Sequence, residues 1–83
     1  MEKRKIQRSQ TGFRMESGML KVLKGLAEYL DITLGDLMEG IVLHSFDGKT
    51  PFCGETLERI ALLKKIYDLD LDASDSHLLE EST

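Results

Sequence analysis

The sequence predicts a mainly α chain: one short N-terminal strand, two core helices and a third, C-terminal helix. Two observations carry this. Gln7 to Met15 is the only stretch with a strand-like alternation; Thr11, Phe13 and Met15 fall on one face, and Gln10, Gly12 and Arg14 on the other. Behind it, apolar residues recur at helical spacing and no second strand pattern follows. A lone strand leaves its amides and carbonyls without ladder partners. The simplest partner is the same strand of a second copy, so a homodimer is expected.

The elements follow in order. Residues 1–6 read as a basic flexible arm. Gly12 weakens the strand that follows, because it has no side chain to pack. Ser17 is placed to cap a first helix over about residues 18–30, whose apolar set is Met19, Leu20, Val22, Leu23, Leu26, Ala27 and Leu30. Gly25 inside that helix costs about 1 kcal/mol relative to Ala; a close helix crossing would account for it, and so would indifference to the residue there. Asp31-Ile32 makes a short turn. Thr33 with Asp36 three residues on resembles a capping box, opening a second helix from Leu34 to Phe46. Its apolar face is Leu34, Leu37, Met38, Ile41, Val42 and Phe46; Leu43 falls on the polar side, so later chain is expected to cover it. Asp47-Gly48 stops this helix. After a loop holding Pro51, a third helix is expected from about Glu55 to Tyr67, packed on the first two. From Asp68 the chain becomes acidic, a tail read as partly docked or disordered.

With 83 residues, one domain is expected, and a core of this size gains from a second subunit. Apolar residues make up 41% and charged residues 31%, which fits a soluble globular chain rather than a disordered one. No apolar run approaches membrane-spanning length and the first residues are charged, so neither a transmembrane helix nor a signal peptide is expected, and no membrane partner. The single cysteine, Cys53, cannot form an intrachain disulfide, which points to a reducing, cytoplasmic setting.

Net charge is −4, but residues 1–14 carry Lys3, Arg4, Lys5, Arg8 and Arg14 against Glu2 alone. The first fourteen residues are therefore at +4 and the remainder at −8. A basic end on an acidic body points to a polyanion bound at one end only.

Strand, helix, short turn and helix within about forty residues resembles the ribbon-helix-helix family of Arc- and MetJ-type DNA-binding proteins. The residues that carry the resemblance are Thr11-Gly12-Phe13-Arg14-Met15, Leu20, Leu23, Leu26-Ala27, Thr33-Leu34-Gly35-Asp36-Leu37 and Ile41-Val42. It makes residues 7–48 a dimerisation and DNA-binding core and 49–83 a C-terminal extension. It implies an antiparallel ribbon formed by two copies over an interlocked helical core, entering the major groove of double-stranded DNA. Gln10, Gly12 and Arg14 would then face the bases, Gln suiting adenine and Arg suiting guanine. Thr11, Phe13 and Met15 would point into the core, and the first-turn amides of Leu34, Gly35 and Asp36, with the Thr33 hydroxyl, would hold a backbone phosphate. Lys3, Arg4, Lys5 and Arg8 would add salt-dependent phosphate contacts. The function implied is that of a homodimeric, sequence-specific transcriptional repressor. Gly12 departs from the pattern, since the middle outward position offers no side chain.

Two other readings stand beside it. Antitoxins of toxin–antitoxin pairs combine such a head with a C-terminal extension that masks a partner protein, and residues 49–83 would be that extension. A dimeric scaffold that has lost DNA binding would also tolerate Gly12. An enzyme is not expected, for want of a phosphate loop or a nucleophile with its base. No cofactor or metal is expected either. His44 reads as a partly buried, hydrogen-bonded residue, with Cys53 and His77 too isolated to join it. Asp68-x-Asp70-x-Asp72 starts like a calcium loop, but Ala73 stands where glycine is required and Leu79 at the twelfth position.

Overall fold

A computed structural model of the chain describes residues 3–82. It holds three α-helices, α1 (Ser17–Leu30), α2 (Leu34–Phe46) and α3 (Gly54–Ile66), and a 3-10 turn at Ala73–Asp75. The start of α1 is held by Glu16, not by Ser17. The Glu16 carboxylate accepts from the amides of Gly18 at 2.9 Å and Met19 at 2.8 Å. A carboxylate can satisfy two free amides where a hydroxyl satisfies one, and the helix N-terminus favours the negative charge. These two bonds hold the Glu16 carboxyl below the ordinary carboxylate range.

The helix ends at Asp31, which adopts the left-handed conformation at φ 58°. The chain then turns at once into α2, where the Thr33 hydroxyl accepts from the Asp36 amide at 3.0 Å. Only this half of the expected capping box is made. At the far end of α2, Gly48 at φ +70° lets the Lys49 amide reach back to the His44 carbonyl at 2.9 Å.

The central helix is α1, which packs against both α2 and α3. Val22, Leu26, Ala27 and Leu37 are the buried apolar residues, and Leu23, Leu30, Ile41, Phe52, Ile60 and Leu63 close around them. Gly25 sits where α1 meets α3: a Cβ there would lie 3.0 Å from a Leu63 methyl and 3.7 Å from the Tyr67 ring. The glycine thus permits the close crossing that the sequence suggested. Tyr29 adds to the same seam, its hydroxyl 3.3 Å from Glu55 and its ring 4.4 Å from the Arg59 guanidinium carbon. The tail is docked at its root. Leu69 and Leu71 are half-buried, and a Leu69 methyl would lie 3.3 Å from a Cβ at Gly18.

The N-terminal strand is not there, and with it the ribbon-helix-helix architecture is overturned. No strand occurs among the described residues, and residues 3–14 have no regular secondary structure. None of the backbone hydrogen bonds outside the helices involves them. Thr11 and Phe13 are not turned into a core: Phe13 is 70% exposed, and only Met15 is half-buried. The physical reason is that alternation specifies which faces differ but supplies no partner. A single chain has no second strand to complete the ladder.

The far half of α2 is also less covered than its pattern suggests. Val42 is exposed, Leu43 is 64% exposed and Phe46 is 81% exposed. The third helix lies along α1 and does not reach over Leu43, as the sequence had suggested it would. His44 is exposed rather than partly buried, though hydrogen-bonded: its Nδ1 lies 2.7 Å from the Gly40 carbonyl.

The chain consequently presents 7637 Å² to solvent. A compact folded protein of 9.4 kDa presents about 5,000 Å². Its radius of gyration is 14.3 Å, against about 12 Å for a compact domain of this length. Part of the excess belongs to the extended ends and part to the bare apolar end of α2.

Candidate nucleic-acid interface

The N-terminal segment and the corner between α1 and α2 border an open cleft of about 1280 Å³. Arg8, Gln10, Gly12 and Phe13 border it from the segment; Leu20 and Leu23 form its apolar floor; Thr33, Leu34 and Gly35 border it from the start of α2. Six of the ten residues singled out from sequence are therefore gathered around one space, although the strand meant to gather them is missing. Lys3, Arg4 and Lys5 are exposed and lie outside the lining, as does Arg14.

The start of α2 presents two amides without a partner among the described residues. Its Asp36 amide is taken by the Thr33 hydroxyl and its Leu37 amide by the Thr33 carbonyl. The amides of Leu34 and Gly35 donate to no other described residue. A Cβ at Gly35 or at Gly12 would meet nothing within 4 Å, so the approach is open at both. The Asp36 carboxylate, next to Gly35 in the same turn, works against an anion there.

Two carboxylates that no sequence motif marks, Glu39 and Glu81, engage two of the three arginines that the charge pattern marks, Arg8 and Arg14. Arg8 donates from Nε and Nη2 to both oxygens of Glu39, at 2.8 and 2.9 Å. This side-chain bond, reinforced by the opposite charge, raises the Arg8 guanidinium further above its already high pKa and holds the Glu39 carboxyl below its ordinary range. Arg14 lies 2.9 Å, Nη2 to Oε1, from Glu81 in the C-terminal tail. Both pairs are largely exposed, so neither is a strong tie. The acidity of the body could have signalled that the arginines would find partners on their own chain, but not which ones.

Among the described residues, no group of three or more His, Cys, Asp or Glu side chains is arranged to hold a metal ion. Cys53 is an exposed free thiol. No described helix is long and apolar enough to cross a membrane. Comparison of the chain with protein-family models, with curated proteins and with solved structures finds no match in any of the three.

Proposed function

We propose that this chain is a cytoplasmic, homodimeric DNA-binding protein that represses transcription, and that it holds DNA with its basic N-terminal segment rather than with a β-ribbon. The observation that carries this reading is the placement of charge. Lys3, Arg4, Lys5, Arg8 and Arg14 all sit in one exposed segment without regular secondary structure, on a body of opposite sign, and Arg8 borders the same cleft as the open amides of α2. Such a segment can follow a duplex backbone, releasing counterions as it binds. Basic arms without secondary structure can also enter a groove. Gln10 and Arg14 carry the groups that pair with adenine and guanine edges, and the Leu34 and Gly35 amides suit a phosphate.

The homodimer rests on surface area. The chain exposes roughly half again the area of a compact protein of its mass. Val42, Leu43 and Phe46 form an apolar patch at the end of α2. A stable interface buries about 800 Å² per partner, well within this excess. A twofold dimer carries two basic segments and favours palindromic half-sites. The toxin-masking alternative draws less support, because α3 and the root of the tail pack on α1 of their own chain.

The test is binding of a random-sequence duplex as salt is raised, followed by selection of bound duplexes from a random pool with wild type and Arg14→Ala. Tight binding at low salt that falls steeply with added salt, and a selected sequence that Arg14→Ala relaxes, support the proposal. Absence of duplex binding at low salt overturns it.

A further inference from the structure

We infer that the acidic C-terminal tail is an internal competitor of nucleic acid for the basic N-terminal segment. The inference rests on the DNA-binding reading above and adds its regulation. The tail meets the basic segment at one point, near where that segment joins α1: Arg14 Nη2 lies 2.9 Å from Glu81 Oε1. The fold brings them there. Leu69, half-buried against Gly18, fastens the root of the tail beside the first turn of α1, the turn that directly follows the basic segment. Asp72 then accepts from the Ser74 amide at 2.9 Å, and its own amide donates to Asp75 at 2.9 Å, so the chain turns at a defined place before Glu80 and Glu81.

The charges are matched in kind. Asp68, Asp70, Asp72, Asp75, Glu80 and Glu81 stand on the tail, against Lys3, Arg4, Lys5, Arg8 and Arg14 on the segment. A carboxylate on Arg14 occupies the guanidinium face that a phosphate or a guanine edge would take. Both partners of the pair are mostly exposed, so the bond exchanges readily and sets a threshold rather than a block. A duplex, with its dense line of phosphates, displaces the tail; a weaker or less charged polyanion does not.

The experiment titrates a fluorescent random-sequence duplex with the full chain, the Glu80→Gln/Glu81→Gln variant, Arg14→Ala, and all three substitutions together. The glutamines leave Leu69 and Leu71 in place, and circular dichroism verifies that the helices persist. At low salt, Glu80→Gln/Glu81→Gln is expected to bind about two- to five-fold tighter than wild type. The gain should vanish towards 1 M salt, where exposed charges are screened. On the Arg14→Ala background the glutamines should confer little. Equal affinity of wild type and the glutamine variant, with both binding duplex, overturns the inference and leaves DNA binding intact. A gain that survives Arg14→Ala also overturns it, since net charge alone then explains the effect. If no variant binds duplex, this inference and the DNA-binding reading fall together.

Discussion

The guanidinium of Arg8 holds both oxygens of Glu39, at 2.8 and 2.9 Å, a solvent-exposed tie from the N-terminal segment across the cleft to the middle of α2. This single fork spans residues with no secondary structure between Arg8 and α1. Its response to pH has a definite sign. Glu39 ionises more readily in the folded chain than it does unfolded, so the tie is in place above the ordinary carboxylate range and is lost as pH falls through the lowered value. Backbone relaxation should show residues 6–10 gaining fast motion below that range, and Glu39→Gln should reproduce the gain at neutral pH. Unchanged relaxation in both cases means that the segment is held by something else.

The crossing of α1 and α3 depends on Gly25 having no side chain. An alanine there meets a Leu63 methyl at 3.0 Å, a flexible end that can shift, while the helix gains about 1 kcal/mol of propensity. Gly25→Ala is therefore expected within about 1 kcal/mol of wild type in urea unfolding. Gly25→Leu cannot be absorbed and should cost about 2 kcal/mol by forcing the helices apart. Equal stability of Gly25→Leu and wild type contradicts a tight crossing.

Phe46 is so exposed in the single chain that replacing it changes little there. In a dimer closed over the end of α2 it is central. Sedimentation should find wild type as a dimer and Phe46→Glu largely as a monomer of unchanged helix content. A wild type that sediments as a monomer at micromolar concentration removes the dimer from the proposal.

The helices were legible in the sequence almost to the residue. Leu34 to Phe46 is the second helix as expected, and the first and third begin one residue earlier than expected; the first ends as expected at Leu30, the third one residue earlier, at Ile66. Apolar spacing, the Thr33 cap and Gly48 are local signals, and local signals survive into the fold. At Gly25 the sequence left a close crossing and indifference open, and Leu63 and Tyr67 beside it decide for the crossing. What failed needed knowledge of distant partners. Thr11, Phe13 and Met15 alternate, yet a strand exists only if a second strand is beside it. Leu43 and Phe46 looked destined for cover, yet which helix covers which depends on packing that periodicity does not encode. The partners of Arg8 and Arg14 lie on other elements, Glu39 on α2 and Glu81 in the tail. Of the ten candidate residues six border one cleft, while Lys3, Arg4, Lys5 and Arg14 do not, and the shape of that cleft was not legible.

A duplex titration followed by amide chemical shifts of the isotope-labelled chain bears most directly on the proposed DNA contact. Adding a short duplex at low salt should move the signals of residues 3–14 and of Leu34 and Gly35, and leave the outer face of α3 unmoved. Shifts centred on α3, or no shifts at saturating duplex, contradict a basic segment that grips a polyanion on an acidic helical body.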